Sequence, residues 1–428
     1  MRLKCGAPVP YAAAVARNGI QSVAILGAGP AGSALACHLA RRGIEVTVFD
    51  GGKRPPLVVG ESLVPAVVPF LRELGVEEEV ASYSTYKPGA TFVFDIGDTM
   101  SFRFADVRAA RTNYSYNVPR DRLDQSVREA ALRAGARLVP SHARLEREPG
   151  SERIRLSGAS LEAAGLTRAP DFVVDAAGRG RALARLLDIP TIEGDRHDTA
   201  LHAHMEGVPL VVEGNVHTDR LQHGWCWRIP LPGRVSVGLV INGAVIREFG
   251  DDVAEQFDNY IRHDPMLRDW GVTAKRISPV LKYNNYQLRC RRGVGPGWAL
   301  VGDAFGFVDP VFSSGLLIAF DAAAALSAAI LDGREEKLRR YEARVLRNLE
   351  TWQRVCGYFY NGRLFTLFKV GEIMRTQLFW RMLDFHFTKH MPRVFTGEAT
   401  AKRYSVGLLD FMVRYGLAGN DPQKLAVR

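Results

Sequence analysis

The first regular pattern along the chain is an apolar run, Val23-Ala24-Ile25-Leu26, then Gly27-Ala28-Gly29-Pro30-Ala31-Gly32, then Ser33-Ala34-Leu35-Ala36-Cys37-His38-Leu39-Ala40 at helical spacing. This reads strand, tight turn, helix. A second apolar run, Ile44-Glu45-Val46-Thr47-Val48-Phe49, follows and ends in Asp50. Strict alternation in Thr91-Phe92-Val93-Phe94 and Ser101-Phe102-Arg103-Phe104 predicts half-buried strands of the kind that build a substrate wall. Tyr116-Asn117-Val118-Pro119-Arg120 leads into a helix over 121–134, with acidic residues at its start and Gly135 past its end. Buried strands are predicted around Arg137-Leu138-Val139 and Phe172-Val173-Val174-Asp175. The region 199–282 is strand-rich, with 234–242 the clearest strand and a helix near 252–263. A further buried strand, Trp298-Ala299-Leu300-Val301, ends in Gly302-Asp303, and an alanine-rich helix runs from about 314 to 331.

The late return of buried-strand character makes the first domain discontinuous. The pattern predicts an α/β fold with a Rossmann-like nucleotide domain at 22–195 plus 286–333, strands near 82–105 contributing to the substrate wall. A β-sheet substrate domain occupies 196–285, and a helical, aromatic-rich C-terminal region 334–428 carries Tyr358-Phe359-Tyr360, Phe365, Phe368, Phe379-Trp380, Phe385 and Phe387. Most of those aromatics are expected in a packed helical lid. At 428 residues, two or three domains are the ordinary expectation.

The glycine turn carries the first chemistry. Gly27 permits the turn, Gly29 lets the backbone approach a pyrophosphate, and Gly32 lets helix pack on strand. The helix N-terminus offers amides to phosphates, and Asp50, roughly 20 residues on, is placed to accept from a ribose hydroxyl. A dinucleotide is implied, FAD or NAD.

Charge changes the picture little. Fifty-six Lys and Arg against forty-six Asp and Glu give +10, but the arginines are spread out and form no basic block interleaved with aromatics. Nucleic acid is not expected, and an acidic protein partner stays open. The five cysteines (5, 37, 226, 290 and 356) contain no C-x-x-C pair, which suggests a reducing cytoplasm. His202 with His204, and His386 with His390, have spacings metals use, yet no third ligand accompanies them and no metal site is expected. No apolar stretch approaches the roughly 20 residues that span a bilayer, and 1–21 reads as a short tail.

Three motifs in order, Gly27 to Gly32, Asp175-Ala176-Ala177-Gly178-Arg179 and Val301-Gly302-Asp303-Ala304, resemble the FAD-binding domain of flavin monooxygenases of the aromatic hydroxylase type. The resemblance implies that Asp303 contacts the ribose and pyrophosphate region, that Arg120 lies near the nucleotide and that Asp50 replaces a more usual glutamate. Trp225-Cys226-Trp227-Arg228-Ile229-Pro230 and Phe307-Val308-Asp309-Pro310-Val311-Phe312-Ser313-Ser314-Gly315 match the W-x-W-x-I-P and F-x-x-P-x-x-S-x-G signatures of flavin-dependent halogenases. Two indoles two residues apart on a strand share a face and would wall bulky substrate away from the flavin. Pro310, Ser313, Ser314 and Gly315 precede a helix, where Ser314 and Gly315 would bind halide beside the cofactor.

The resemblance also asks for a lysine, and Lys87-Pro88-Gly89 supplies it. Lys87 is the only lysine between Lys53 and Lys275 in an arginine-rich chain, and guanidinium could not take its place because it stays charged. By resemblance, reduced FAD, oxygen and chloride or bromide give hypohalous acid, which acts through Lys87 as a hydrogen-bonded oxidant or a haloamine. Tryptophan-directed members carry a glutamate just before the motif serine, where Phe312 stands here. The chain is closer to the phenol and pyrrole halogenases, so the implied substrate is an electron-rich ring, free or on an acyl carrier protein. No second dinucleotide turn is visible, so reduced flavin is expected from a separate reductase. Flavin monooxygenases and isoprenoid-chain reductases share the FAD motifs and remain rivals, as does a degenerate FAD-binding partner of a carrier protein.

Overall fold

The computed structural model describes residues 19–427 apart from 53–54, 108–109, 285–286, 375–392, 399–402 and 418. The N-terminal tail before Gly19, Cys5, Lys53, Phe379, Trp380, Phe385, His386, Phe387 and His390 lie outside the described residues. A central sheet runs in the order Val294–Gly295, Trp298–Leu300, Phe172–Asp175, Ser22–Leu26, Glu45–Phe49, Arg137–Val139. Its pairs are parallel except the hairpin at 294–300, with Ile25 opposite Val174 and Val48. Strands buried on both faces need unbroken apolar runs, and Ser22–Leu26 is buried at every position. Helix Pro30–Ala40 packs between the sheet, helix Arg120–Arg133 and helix Gly315–Asp332.

The second sheet takes strands from two distant parts of the chain. Lys275–Arg276, Asp198–Glu206, Arg234–Asn242, Gly224–Leu231 and Val216–Leu221 lie in antiparallel order, and Leu281–Asn284 pairs along Asp198–Glu206. The early hairpin of Gly89–Asp95 and Asp98–Arg103 then joins Val216–Leu221 through a parallel pairing, Ala90 opposite Val216. The period of two along Asp198–Glu206 divides its faces. Leu201, Ala203 and Met205 pack with Phe257, Tyr260 and Ile261 of helix Val253–His263, and Ala200, His202 and His204 face the nucleotide half.

The expected helices at 121–134, 252–263 and 314–331 are observed at Arg120–Arg133, Val253–His263 and Gly315–Asp332. Asp252 caps the second, accepting from the Ala254 and Glu255 amides at 2.8 and 2.9 Å. The lead-in to the first of these is a strand, Ser115–Asn117, paired with Thr85–Lys87 in a separate ribbon. One expectation needs correction. Gly315–Asp332 does have the length and apolarity of a membrane span, with a mean hydropathy of 1.7, but 61% of it is buried within the protein. Its alanines let neighbouring helices approach closely.

The tryptophan strand Gly224–Leu231 is locked to its neighbour by a buried ion pair. Arg228 donates Nε and Nη2 to the two carboxylate oxygens of Asp219, both at 2.7 Å, and Nη1 to the Pro209 carbonyl. Removing one partner strands the other charge in the core, so Asp219→Ala should cost about 3–5 kcal/mol. Urea denaturation followed by far-UV circular dichroism measures it.

Candidate active site

The glycine turn is built as its spacing requires. Gly27 has φ +102°, and a Cβ there would lie 2.6 Å from the Ala176 carbonyl oxygen. At Gly32 a Cβ would meet the Gly27 carbonyl oxygen at 2.1 Å, so helix and strand pack through this point. Around Gly29 a Cβ would meet nothing within 4 Å. That open space at a helix N-terminus is the room a pyrophosphate needs.

Gly27, Gly29, Asp50, Arg120, Asp303, Pro310, Ser313 and Gly315 line one cavity of about 540 Å³, together with Trp225 and Trp227 on the facing sheet. Asp50 accepts from the Gly52 amide at 3.1 Å and leaves its carboxylate at the wall. Asp303 accepts no hydrogen bond among the described residues. Desolvation raises its carboxyl to about 6, against the opposing pull of Arg120 and Arg179. A half-buried carboxylate without a donor suits the hydroxyl-rich chain of FAD. Arg120 donates to the Val59 carbonyl and, at 3.1 Å, to Asp124, and so pins the segment before Gly60 over the cavity.

The halogenase-like loop turns sharply. The Ser313 amide donates to the Pro310 carbonyl at 2.9 Å, and Ser313 itself sits at φ +53°, a left-handed conformation costly for a residue with a side chain. Helix Gly315–Asp332 then begins at buried Ser314 with no side-chain cap. Gly315 and Leu316 line the cavity at that uncapped terminus, whose positive end suits an anion. Gly32 and Ser314 do not line the cavity themselves.

The two indoles share a face with ring centroids 5.8 Å apart. Trp227 Nε1 donates to Ser236 Oγ at 3.2 Å, and its ring lies over Gly238, where a Cβ would collide at 2.1 Å. Trp225 Nε1 donates to Tyr360 Oη at 3.0 Å, and Tyr360 donates to Asp309 Oδ2 at 2.9 Å. Gln287 and the Val311 amide complete that carboxylate's partners at 2.9 and 3.0 Å. Desolvation still lifts Asp309 to about 6. Motif spacing gave no sign of Tyr360, because its partners lie 51 and 135 residues away.

Lys87 is 2% exposed and stands one hydroxyl behind the cavity. Its Nζ donates to Ser62 Oγ and the Leu63 carbonyl, both at 2.8 Å, lies 5.4 Å from the Phe104 ring centre, and has no carboxylate partner among the described residues. Ser62 lines the cavity. Burial without a counter-charge pulls the ammonium down to about 7. Phe312 is buried against Phe359, Phe395 and Trp352, so its position belongs to the aromatic core.

The family profile described as tryptophan halogenase matches residues 22–110 and 103–366. The chain belongs to the tryptophan halogenase family. Fungal relatives 26% and 28% identical, from Metacordyceps chlamydosporia and Acremonium egyptiacum, are named flavin-dependent halogenases. A tryptophan 2-halogenase of Chondromyces crocatus is 28% identical over 319 residues, which are 72% of this chain and 60% of that protein. A 1H-pyrrole-2-carbonyl-[peptidyl-carrier protein] chlorinase of Pseudomonas fluorescens is 28% identical over 381 residues, 81% of this chain and 85% of that one. The solved myxobacterial chondrochloren halogenase is 23% identical with a TM-score of 0.70, covering 96% of this chain and all of that one, which shows a shared fold. The cavity fits the family's cofactor through Gly29, Asp50 and Asp303.

Tyr360→Phe tests the link between the tryptophan strand and the loop. Removing the hydroxyl leaves the Trp225 indole N–H and Asp309 each short of a buried partner, at a cost of about 1–3 kcal/mol. A lowered urea midpoint and a shifted tryptophan emission are the expected readings.

Proposed function

We propose that this chain halogenates an electron-rich aromatic ring, phenolic or pyrrolic and free or tethered to a carrier protein, using chloride or bromide and reduced FAD from a separate reductase. The observation that carries the reading is the buried Lys87 amine, without counter-charge, one hydroxyl behind a cavity that also holds the nucleotide cradle and both indoles. The pyrrole-specific relative supports the substrate class, and so does Phe312 in place of a carboxylate.

With Gly32 packing helix on strand behind them, Gly27, Gly29, Asp50, Arg120, Asp303, Pro310 and Gly315 would hold the FAD. When bound, it supplies the two-electron reduction of oxygen that turns halide into hypohalous acid. Gly315 would hold the halide at the helix start, with buried Ser314 supporting the turn behind it, and the bend at Ser313 exposes that terminus. Trp225 and Trp227 keep an organic ring from the oxidising end, which favours halogenation over hydroxylation.

Lys87 carries the halogen onward. As an ammonium it donates a hydrogen bond to hypohalous acid. As a neutral amine its lone pair forms an N–X bond while the O–X bond breaks, and the departing hydroxide takes the amine proton to give water. Because the ammonium's value lies near 7, the neutral form grows as pH rises through that value. Halogenation by the amine route should therefore climb about tenfold from pH 6 to pH 7.5, and a flat profile would exclude it.

Purified protein supplied with a flavin reductase, NADH, a phenol or pyrrole and chloride or bromide should give products with the halogen isotope pattern. Hydroxylated product, or substrate-stimulated NAD(P)H oxidation without reductase or halide, would assign the chain to the flavin monooxygenases instead. Lys87→Ala should lower halogenation by about 10²–10⁴-fold while flavin binding persists, and Lys87→Arg should not rescue it. Retained halogenation in Lys87→Ala would remove the lysine from the mechanism.

A further inference from the structure

Electrophilic substitution needs a base as well as a halogen donor, and the position that provides a glutamate in tryptophan-directed relatives holds Phe312, packed away in aromatic side chains. The carboxylates lining the cavity are Asp50, Glu61, Asp124 and Asp303. Asp50 and Asp303 belong to the nucleotide cradle, and Asp124 is paired with Arg120. Glu61 alone among these is turned toward the facing sheet. It is 4% exposed, and its Oε1 is 2.7 Å from Nε2 of His204, on strand Asp198–Glu206.

The hydrogen positions follow from the third member of the chain. Arg234 Nε lies 3.1 Å from His204 Nδ1. A guanidinium only donates, so Nδ1 is the acceptor and the imidazole proton sits on Nε2, aimed at Glu61. His204 thus donates to Glu61 through Nε2 while accepting from Arg234 through Nδ1, which fixes the orientation of the carboxylate. Ser62, the next residue, accepts from Lys87 Nζ. Consecutive Cα atoms are about 3.8 Å apart, so the anchor of the halogen donor and the carboxylate are neighbours on one short segment of the cavity wall.

We propose that Glu61 is the proton acceptor of ring halogenation, oriented by His204 and Arg234 as positioning residues. This rests on the halogenase reading above. A ring π pair forms the C–X bond as the O–X bond of hypohalous acid, or the N–X bond of halogenated Lys87, breaks with its electron pair. Hydroxide leaves in the first case; in the second, water protonates the halogenated nitrogen as the N–X bond breaks, so neutral Lys87 amine leaves and hydroxide remains. The ring is cationic until its O–H or N–H proton passes to a Glu61 oxygen. The protonated carboxyl then returns that proton to the hydroxide to give water, and the neutral halogenated ring regains aromaticity as its C–H proton moves to the heteroatom, so ring C–H and hypohalous acid become ring C–X and water. As positive charge develops, the ring proton becomes acidic enough for a carboxylate to accept.

Glu61→Gln keeps an acceptor for His204 and removes the basicity. The measurement is the ratio of ring halogenation to hypohalous acid caught by a diffusible halogen trap, with flavin affinity titrated in parallel. With a phenol that is neutral at the assay pH the ratio should fall about a hundredfold. With a phenol already ionised at that pH it should fall less than threefold, a contrast that a purely structural role would not produce. An unchanged ratio, an equal loss with both phenols, or a loss matched by weaker flavin binding overturns the proposal. Should Glu61→Gln fail to fold, His204→Gln decides, with a three- to tenfold loss showing the same contrast between phenols. If the parent protein makes neither trapped hypohalous acid nor halogenated ring, the halogenase reading fails and takes this inference with it. Trapped hypohalous acid with no dependence on Glu61 removes the inference alone.

Discussion

The hydrogen-bond chain from Trp225 through Tyr360 to Asp309 is the interaction on which the site's shape depends. It joins three elements with no reason of their own to meet: the tryptophan strand, the long helix Glu335–Tyr360 and the turn before helix Gly315–Asp332. Each of its polar atoms is buried, so the chain must be complete or costly. Arg196 adds a stacked guanidinium 3.8 Å from the Tyr360 ring centre and is itself bonded to Asp198 at the start of the second sheet. The second sheet is thereby tied to helix Glu335–Tyr360 and to the turn whose Pro310 and Val311 line the cavity.

Within the cavity the polar groups are few and specialised. An amine without a counter-ion, a carboxylate without a donor and an uncapped helix N-terminus all carry unpaid electrostatic cost in the resting fold. Such costs collect where ligands are bound, since a bound phosphate, hydroxyl or anion removes them. Lys87 is the clearest case. A neighbouring carboxylate would restore its ammonium, and the ribbon of Thr85–Lys87 and Ser115–Asn117 surrounds it instead with Ser62, a carbonyl and Phe104. His202 shows the same economy. Both its ring nitrogens are buried without a hydrogen-bond partner among the described residues, and desolvation lowers it to about 4, so it is neutral beside Trp227 and Tyr283.

Much of this was legible in the sequence because it is local. The glycine turn, the indoles two apart and the helix start after Ser314 depend on neighbours within a few residues, and backbone sterics and strand periodicity fix their geometry whatever surrounds them. The discontinuous central sheet was legible for a similar reason, since only strands buried on both faces read as unbroken apolar runs. The burial of Lys87 was not local. It depends on Ser62 and Leu63, 25 and 24 residues away, and on a ribbon strand whose sequence, Ser115-Tyr116-Asn117, is too short to show a period.

Sequence alone therefore determined the strand–turn–helix of the glycine motif, the resemblance to the family and the residue types offered to the chemistry. Tertiary structure decided how those residues are charged and connected. It placed Lys87 behind Ser62, Phe312 in the aromatic core, and Glu61 against His204, 143 residues away, across the gap between two sheets. The physical reason is that conformational preference is set over a few bonds, whereas desolvation and hydrogen-bond partnership depend on whatever the folded chain brings within a few ångströms.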